Sequence, residues 1–300
     1  MNAYLKFLEQ VVPATVCIKT EIPETHPTSS ILGTERMGSG TLIDPRGFIL
    51  TVGYVVLGAS SIIITLQDRR EFPGRVVYHD FESGISILKI RATNLPNAFI
   101  GNTQELSTGQ SVLIVAATNP QERRASDGVI TSISPFDAYW EYMLDKAIFT
   151  MAINPGFGGG ALLNYRGEII GIVSLNLGFI KDCSMVIPID YFLRHKEELF
   201  KEGTVTRTSR RAWLGFYIMP SYQGVLIYGL VAGGPAEKAG LKTGDIIIYL
   251  DGYEVGGSRT NLYKELWKRQ AGQEISITIV RQGKLITLSL LSADRAEFYA

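Results

Sequence analysis

Asn154-Pro155-Gly156-Phe157-Gly158-Gly159-Gly160-Ala161-Leu162-Leu163 is the stretch on which the fold turns. Four glycines within five positions make a loop with access to positive φ, at a high entropic cost of ordering. The apolar residues that follow, Ala161 to Asn164, read as a short strand. Working outward, similar runs are Glu168 to Ser174 and Ser184 to Ile187 downstream, and Ser111 to Ala117, Asp127 to Ser134 and Ala147 to Ile153 upstream. An equal set precedes these: Thr15 to Lys19, Ser39 to Ile43, Phe48 to Thr51, Ser61 to Leu66, Glu71 to Tyr78 and Ile85 to Ile90. Short β-runs divided by Gly, Pro, Asp and Asn suit closed antiparallel barrels, and the two matching sets suit two similar barrels. Between the first runs, the polar stretch from Pro23 to Arg36 reads as an exposed loop.

Pro188-Ile189-Asp190 opens a helical segment, Tyr191 to Lys201, that stops at Gly203 and marks the seam between domains. Beyond it, Trp213 to Ile218, Val225 to Leu230, Asp245 to Leu250, Glu274 to Arg281 and Lys284 to Leu291 alternate as strands do. Thr260 to Arg269 sets Leu262, Leu266 and Trp267 at helical spacing. The expected organisation is 1–203, 204–293 and a C-terminal tail, 294–300.

Composition narrows the function classes. With 46% hydrophobic and 19% charged residues, the 300-residue chain has enough apolar content for real cores. Its 29 Lys+Arg balance 29 Asp+Glu, so no global field attracts nucleic acid. Cys17 and Cys183 lie far apart, no Cys/His spacing matches a zinc site, and no cofactor motif stands out. A disulfide between the two is not suggested. No apolar run reaches membrane-spanning length, and no signal peptide or anchor is legible at Met1-Asn2-Ala3-Tyr4-Leu5-Lys6.

Gly38-Ser39-Gly40-Thr41-Leu42-Ile43 followed by Gly47-Phe48-Ile49-Leu50-Thr51 resembles the opening of the protease domain in the HtrA/Deg family. The glycine-rich loop resembles that family's nucleophile loop, and Glu168-Ile169-Ile170-Gly171-Ile172 and Val186-Ile187-Pro188-Ile189 continue the pattern in order. The implied fold is mainly β: a chymotrypsin-like double six-stranded β-barrel followed by a PDZ domain. The resemblance covers roughly Ala14 to Leu291.

It also sets out what is missing. The family's catalytic histidine falls on Tyr54, its aspartate on Gly84 and its nucleophilic serine on Gly158. A tyrosine, with a reference pKa of about 10 against about 6.5 for imidazole, is a poor general base at neutral pH. Glycine offers neither a carboxylate to orient a base nor a hydroxyl to attack. The local patterns align without insertion, which leaves Asp80 and Ser83 outside the triad positions. His26, His79 and His195 read as surface histidines, and Ser39 and Ser174 as barrel or loop residues. Two further departures are Phe157, where the family usually has asparagine, and Ala161, where it usually has proline. The family's oxyanion hole corresponds to the backbone N–H groups of Gly156 and Gly158, and Phe157 is a candidate to fill the vacated cleft.

Gly233-Gly234-Pro235-Ala236-Glu237-Lys238-Ala239-Gly240-Leu241-Lys242-Thr243-Gly244-Asp245 resembles a bacterial PDZ domain, with Trp213-Leu214-Gly215-Phe216 as its carboxylate-binding loop. The resemblance implies a peptide groove walled by Trp213, Leu214, Gly215, Phe216 and Ile218 on one side and by Leu262 and Leu266 on the other. An added strand would carry a hydrophobic C-terminus there. The expected function is a proteolytically inactive adaptor, scaffold or regulator that takes protein segments or hydrophobic tails. The alternatives are a protease with displaced catalytic residues, or a structural scaffold with a closed PDZ groove. Family analogy further implies a periplasmic or other extracytoplasmic setting. It leaves room for a homotrimer, to which Tyr4 to Phe7 would contribute, or for assembly with related HtrA-like proteins.

Overall fold

The computed structural model describes residues 2–138, 142–178, 183–206 and 210–299. The side chains of Tyr4 to Phe7 lie outside the described residues. The chain divides into two compact units, one of 1–136 with 143–205 and the other of 137–142 with 206–300.

The first unit opens with a helix that sequence reading did not anticipate, α1 (Asn2–Ala14), whose Val11 and Ala14 are buried. The first barrel then comprises β1 (Thr15–Glu21), β2 (Glu35–Asp44), β3 (Phe48–Val52), β4 (Ser61–Thr65), β5 (Glu71–His79) and β6 (Ile85–Ile90). These close in the order β1-β2-β3-β6-β5-β4. Two single turns of helix interrupt them, α2 (Ser29–Leu32) inside the expected polar loop and α3 (Gly53–Val56) directly after β3. The second barrel is β7 (Ser111–Ala117), β8 (Arg123–Ala138), β9 (Tyr142–Thr150), β10 (Ala161–Leu163), β11 (Ile169–Asn176) and β12 (Ser184–Pro188), closed as β10-β11-β12-β9-β8-β7. Closure leaves no exposed strand edge, so short strands suffice. Ile18, Leu42, Ile49, Ile64 and Leu88 fill the first interior, and Ile114, Ile130, Leu162, Ile170, Val173 and Val186 the second, all fully buried. Both expected barrels are present.

The linking helix differs in detail. It is split into α4 (Asp190–Leu193) and α5 (Lys196–Glu202), and ends at Gly203, whose φ of 75° supplies the left-handed C-terminal stop. The second unit carries β13 (Ala212–Trp213), β14 (Phe216–Pro220), β15 (Val225–Leu230), α6 (Pro235–Lys238), β16 (Ile246–Leu250), β17 (Tyr253–Glu254), α7 (Arg259–Leu266), β18 (Glu274–Arg281), β19 (Lys284–Leu291), β20 (Ala293–Asp294) and α8 (Arg295–Phe298). Its main sheet runs β14-β15-β16-β18-β19, so β14 is an edge strand. The expected tail, 294–300, is part of this unit. β20 pairs with β13, Asp294 caps α8 by accepting from the Ala296 N–H at 2.9 Å, and Phe298 and Tyr299 pack on Trp213 at 4.6 and 5.5 Å between ring centroids. Packing three aromatic rings together gives a terminal segment the apolar contact that an isolated tail lacks.

Candidate functional site

Within the first unit, β3 runs into α3 and delivers Tyr54, the turn between β5 and β6 holds Gly84, and the glycine-rich loop before β10 holds Gly158. Tyr54 Oη donates to the Ser174 carbonyl at 2.8 Å, which directs the phenol towards the loop. A Cβ built on Gly158 would lie 1.9 Å from Tyr54 Oη and 3.0 Å from its Cζ. The tyrosine hydroxyl therefore occupies the space that a side chain at position 158 would need. Tyr54, rather than Phe157, fills that space, and half-buried Phe157 is fixed through its N–H on the Ala117 carbonyl at 2.9 Å.

Gly84, the expected acid position, adopts φ +81°, a region that a residue with a Cβ enters only at a cost. Its N–H donates to the Asp80 carbonyl at 2.8 Å, and its own carbonyl accepts from Gly53 at 2.7 Å. Asp80 accepts from the Glu82 N–H and from the Ser83 hydroxyl, so these two polar residues tie their own turn together, and Ser83 is fully buried. The three histidines are half-buried rather than on the surface. His79 lies against Gly53, where a Cβ would come within 2.1 Å of its ring; its Nδ1 is 2.5 Å from the Ser86 hydroxyl. His26 packs on Gly58, and His195 meets the Tyr78 hydroxyl at 3.1 Å. No imidazole stands at position 54, and each histidine side chain is engaged elsewhere.

The glycine-rich loop is ordered by its main chain. Gly158 O accepts from Ser39, Gly159 donates to Val173 and Gly160 accepts from Val173, at 2.7, 2.8 and 2.8 Å. A Cβ at Gly156 would strike the Ala117 carbonyl at 2.2 Å, and one at Gly159 the Ser39 carbonyl at 2.1 Å, so backbone packs directly on backbone. Of the two expected oxyanion donors, the Gly156 N–H faces Asn154 Oδ1 at 3.4 Å, while Asn154 Nδ2 returns a bond to Gly156 O at 3.0 Å. Ser39 serves the same architecture. Its fully buried hydroxyl accepts from the Ala117 N–H at 2.9 Å.

In the second unit α7 packs on β14, and Phe216, Ile218, Leu262 and Leu266 are all buried, with exposures of 0–1%. Leu214 O accepts from Ala236 and Gly215 O from Val231, which fixes the expected carboxylate loop with Gly215 at φ +75°. Trp213 belongs elsewhere, in the aromatic cluster with Phe298 and Tyr299. Arg259 is the residue that sequence reading missed. At the start of α7, it donates from Nη1 to the Ile218 carbonyl at 2.6 Å and pairs through two nitrogens with Asp137 at 2.8 and 3.1 Å. Its side chain is 1% exposed. Burial pushes the Asp137 carboxyl up despite the arginine. A charged residue following the Ser258 cap reads in sequence as solvated, so no local signal marked it. The Ser174 carbonyl was likewise silent.

Known proteins share this fold. Residues 38–172 match the trypsin-like peptidase domain and residues 212–291 the PDZ domain. The chain is 32% identical over 276 residues to a probable periplasmic serine endoprotease DegP-like of Halomonas elongata, covering 86% of this chain and 56% of the relative. A second, of Hahella chejuensis, is 32% identical over 264 residues, covering 82% and 54%. The chain thus spans little more than half the length of these curated relatives. Among solved structures, the HtrA-type protease AlgW with decapeptide superposes with a TM-score of 0.60 at 25% identity, covering 97% of this chain and 98% of that one. The serine endoprotease from Yersinia pestis shares the fold at 24% identity and a TM-score of 0.59, covering 97% of each chain. Two barrels closed around a glycine-rich loop, followed by a PDZ sheet and its helix, make this chain an HtrA/Deg-family trypsin-like protease domain joined to a PDZ domain.

Proposed function

We propose that this protein is a proteolytically inactive HtrA-like adaptor that takes hydrophobic C-terminal tails of other proteins through its PDZ domain. The observation that carries the reading is the Tyr54 hydroxyl in the nucleophile's space, 1.9 Å from where a Cβ on residue 158 would lie. Acyl transfer needs a nucleophile and a base to take its proton. The chain offers a glycine, a phenol already donating to Ser174 O, and a second glycine that cannot orient a base. The relatives' description as periplasmic supports an extracytoplasmic setting. No helix among the described residues is long and apolar enough to cross a membrane. Assembly as a homotrimer, or with related HtrA-like chains, belongs to the same reading.

In the PDZ unit, a peptide main chain would add to the edge strand β14 while the Leu262 and Leu266 wall takes its last side chain. The Ile218 carbonyl that such a strand needs is held by Arg259, so entry exchanges that donor for a peptide N–H. Closed walls and an occupied acceptor favour a second reading, a structural PDZ domain with no ligand. Calorimetric titration of the full chain with a peptide ending in free valine or leucine, against its amidated twin, separates the two. The adaptor reading expects preference for the free acid and loss of binding in Leu266→Glu; a broad set of hydrophobic tails without binding leaves the scaffold. Proteolytic inactivity is tested separately. A fluorophosphonate probe should fail to label purified protein, and labelling of a hydroxyl in the cleft would overturn it.

A further inference from the structure

A second concave site lies on the first unit, away from Tyr54 and Gly158. Between the ends of β3 and β6 and the end of α5 is an open cavity of about 700 Å³, floored by Phe48 and Phe200 and lined by Arg46, Lys89, Arg91 and Lys201. Arg46 is held by a carboxylate and a main-chain carbonyl. Asp44 takes its Nε and Nη2 at 2.9 and 3.0 Å, the Phe200 carbonyl takes Nη1 at 3.1 Å, and the guanidinium lies 5.5 and 5.6 Å from the two ring centroids. Lys89 donates to the main-chain carbonyls of Arg46 and Ile90, and its ammonium stands 5.1 Å from the centre of Phe48. Two of its three N–H groups are thereby used, and one is left for the cavity.

The charges here do not cancel. Asp44 answers Arg46, and Glu202 meets Lys201 at 3.1 Å, so four cations face two carboxylates and an excess of two positive charges remains. Arg91 makes no hydrogen bond or ion pair among the described residues. Directly across the strand pair from Lys89 stands Arg75, exposed and also without such a partner among the described residues. Like charges opposite one another on a sheet destabilise it. Burial holds the Lys89 ammonium below its usual pKa, and the neighbouring Arg75 and Arg46 add to that against the pull of Asp44. In a chain of zero formal net charge, this is a local concentration of cations that folding alone does not require.

We propose that this cavity binds a dianionic phosphate monoester, either on a small molecule or as a lipid headgroup. A phosphate monoester carries about −1.5 to −2 charges near neutral pH and three acceptor oxygens, which matches the two-charge excess. The planar fork of Arg91 offers a bidentate contact, and the lysines supply donors from other directions. The phenylalanine floor excludes water on one side, which strengthens each contact. The reading is independent of what the PDZ groove or the vacated triad does.

The test is calorimetric titration of the full chain with inorganic phosphate at low ionic strength against a chloride control. Alongside it, the chain is co-sedimented with phosphatidylcholine vesicles with and without phosphatidic acid. Binding of soluble phosphate assigns the site to small phosphate esters, and binding to phosphatidic acid vesicles alone assigns it to a headgroup. In either case Arg91→Glu with Lys201→Glu, both exposed substitutions, should weaken binding at least tenfold, about 1.4 kcal/mol. Lys284→Glu, in the other unit, should leave it unchanged. No binding to either probe, undiminished binding by the double variant, or equal loss in Lys284→Glu overturns the proposal.

Discussion

Gly158→Ala is the substitution that tests most directly whether the tyrosine has taken the nucleophile's place. The added methyl would sit 1.9 Å from Tyr54 Oη and 3.3 Å from Ser174 O, against an ordinary contact of 3.4 Å or more. The hydroxyl must retreat by about 1.5 Å, which breaks its 2.8 Å bond to Ser174 O. An acceptor left unsatisfied costs about 1–3 kcal/mol, and overpacking adds about 1–3 kcal/mol. The expected loss is therefore about 2–6 kcal/mol, or about 4–24 °C in the melting of a unit of this size. Gly158 has no positive φ, so backbone strain does not enter. Tyr54→Phe removes the oxygen and makes Cζ, at 3.0 Å, the nearest ring atom, so a small ring shift suffices. By itself that change should cost about 1 kcal/mol for the lost hydrogen bond. In its background Gly158→Ala should cost much less, giving a coupling energy of about 1–3 kcal/mol in a double-mutant cycle. Urea and thermal unfolding followed by circular dichroism measure all four proteins. If Gly158→Ala costs under about 0.5 kcal/mol, or costs the same in both backgrounds, Tyr54 does not fill the site and the reasoning fails.

Rebuilding the triad as Tyr54→His, Gly84→Asp and Gly158→Ser should leave casein cleavage at background. Aspartate at the +81° φ of residue 84 carries about 1–2 kcal/mol of strain, and turnover above a buffer control would show that the turn adapts. Cys17 should resist alkylation in the native protein. Burial pushes its thiol up to about 11, leaving about one thiolate in a thousand at pH 8, and rapid native labelling by mass spectrometry would contradict this. Because that folded value lies above the free thiol's 9.0, the associated stability is complete below pH 9 and declines as pH rises through about 11. Arg259→Ala should destabilise the C-terminal unit by about 1–3 kcal/mol, because the Ile218 carbonyl loses its donor, and an unchanged urea midpoint for that unit would refute the contact.

Much of this protein is legible in one dimension. Two sets of short β-runs, the order of glycine motifs around residues 38–51 and 154–163, and the Gly233 to Asp245 segment suffice for two barrels and a PDZ domain, because strand alternation and turn residues are local properties. That positions 54, 84 and 158 carry tyrosine, glycine and glycine is also purely a matter of residue identity. Other features needed the third dimension. That Tyr54 reaches Ser174 across 120 positions and fills the space above Gly158, and that Gly53 is bare because His79 lies on it, are contacts between segments with no shared local pattern. Arg259 was invisible for the same reason, since a charge at a helix start reads as solvated until the fold puts Ile218 O and Asp137 beside it. The tail, 294–300, looked like an appendage because its two aromatic residues have no apolar neighbours in sequence; Trp213, some eighty residues earlier, is their partner only in the folded chain. Periodicity and motif order determine which elements form, while side-chain volume and hydrogen-bond accounting across distant segments decide what the site contains.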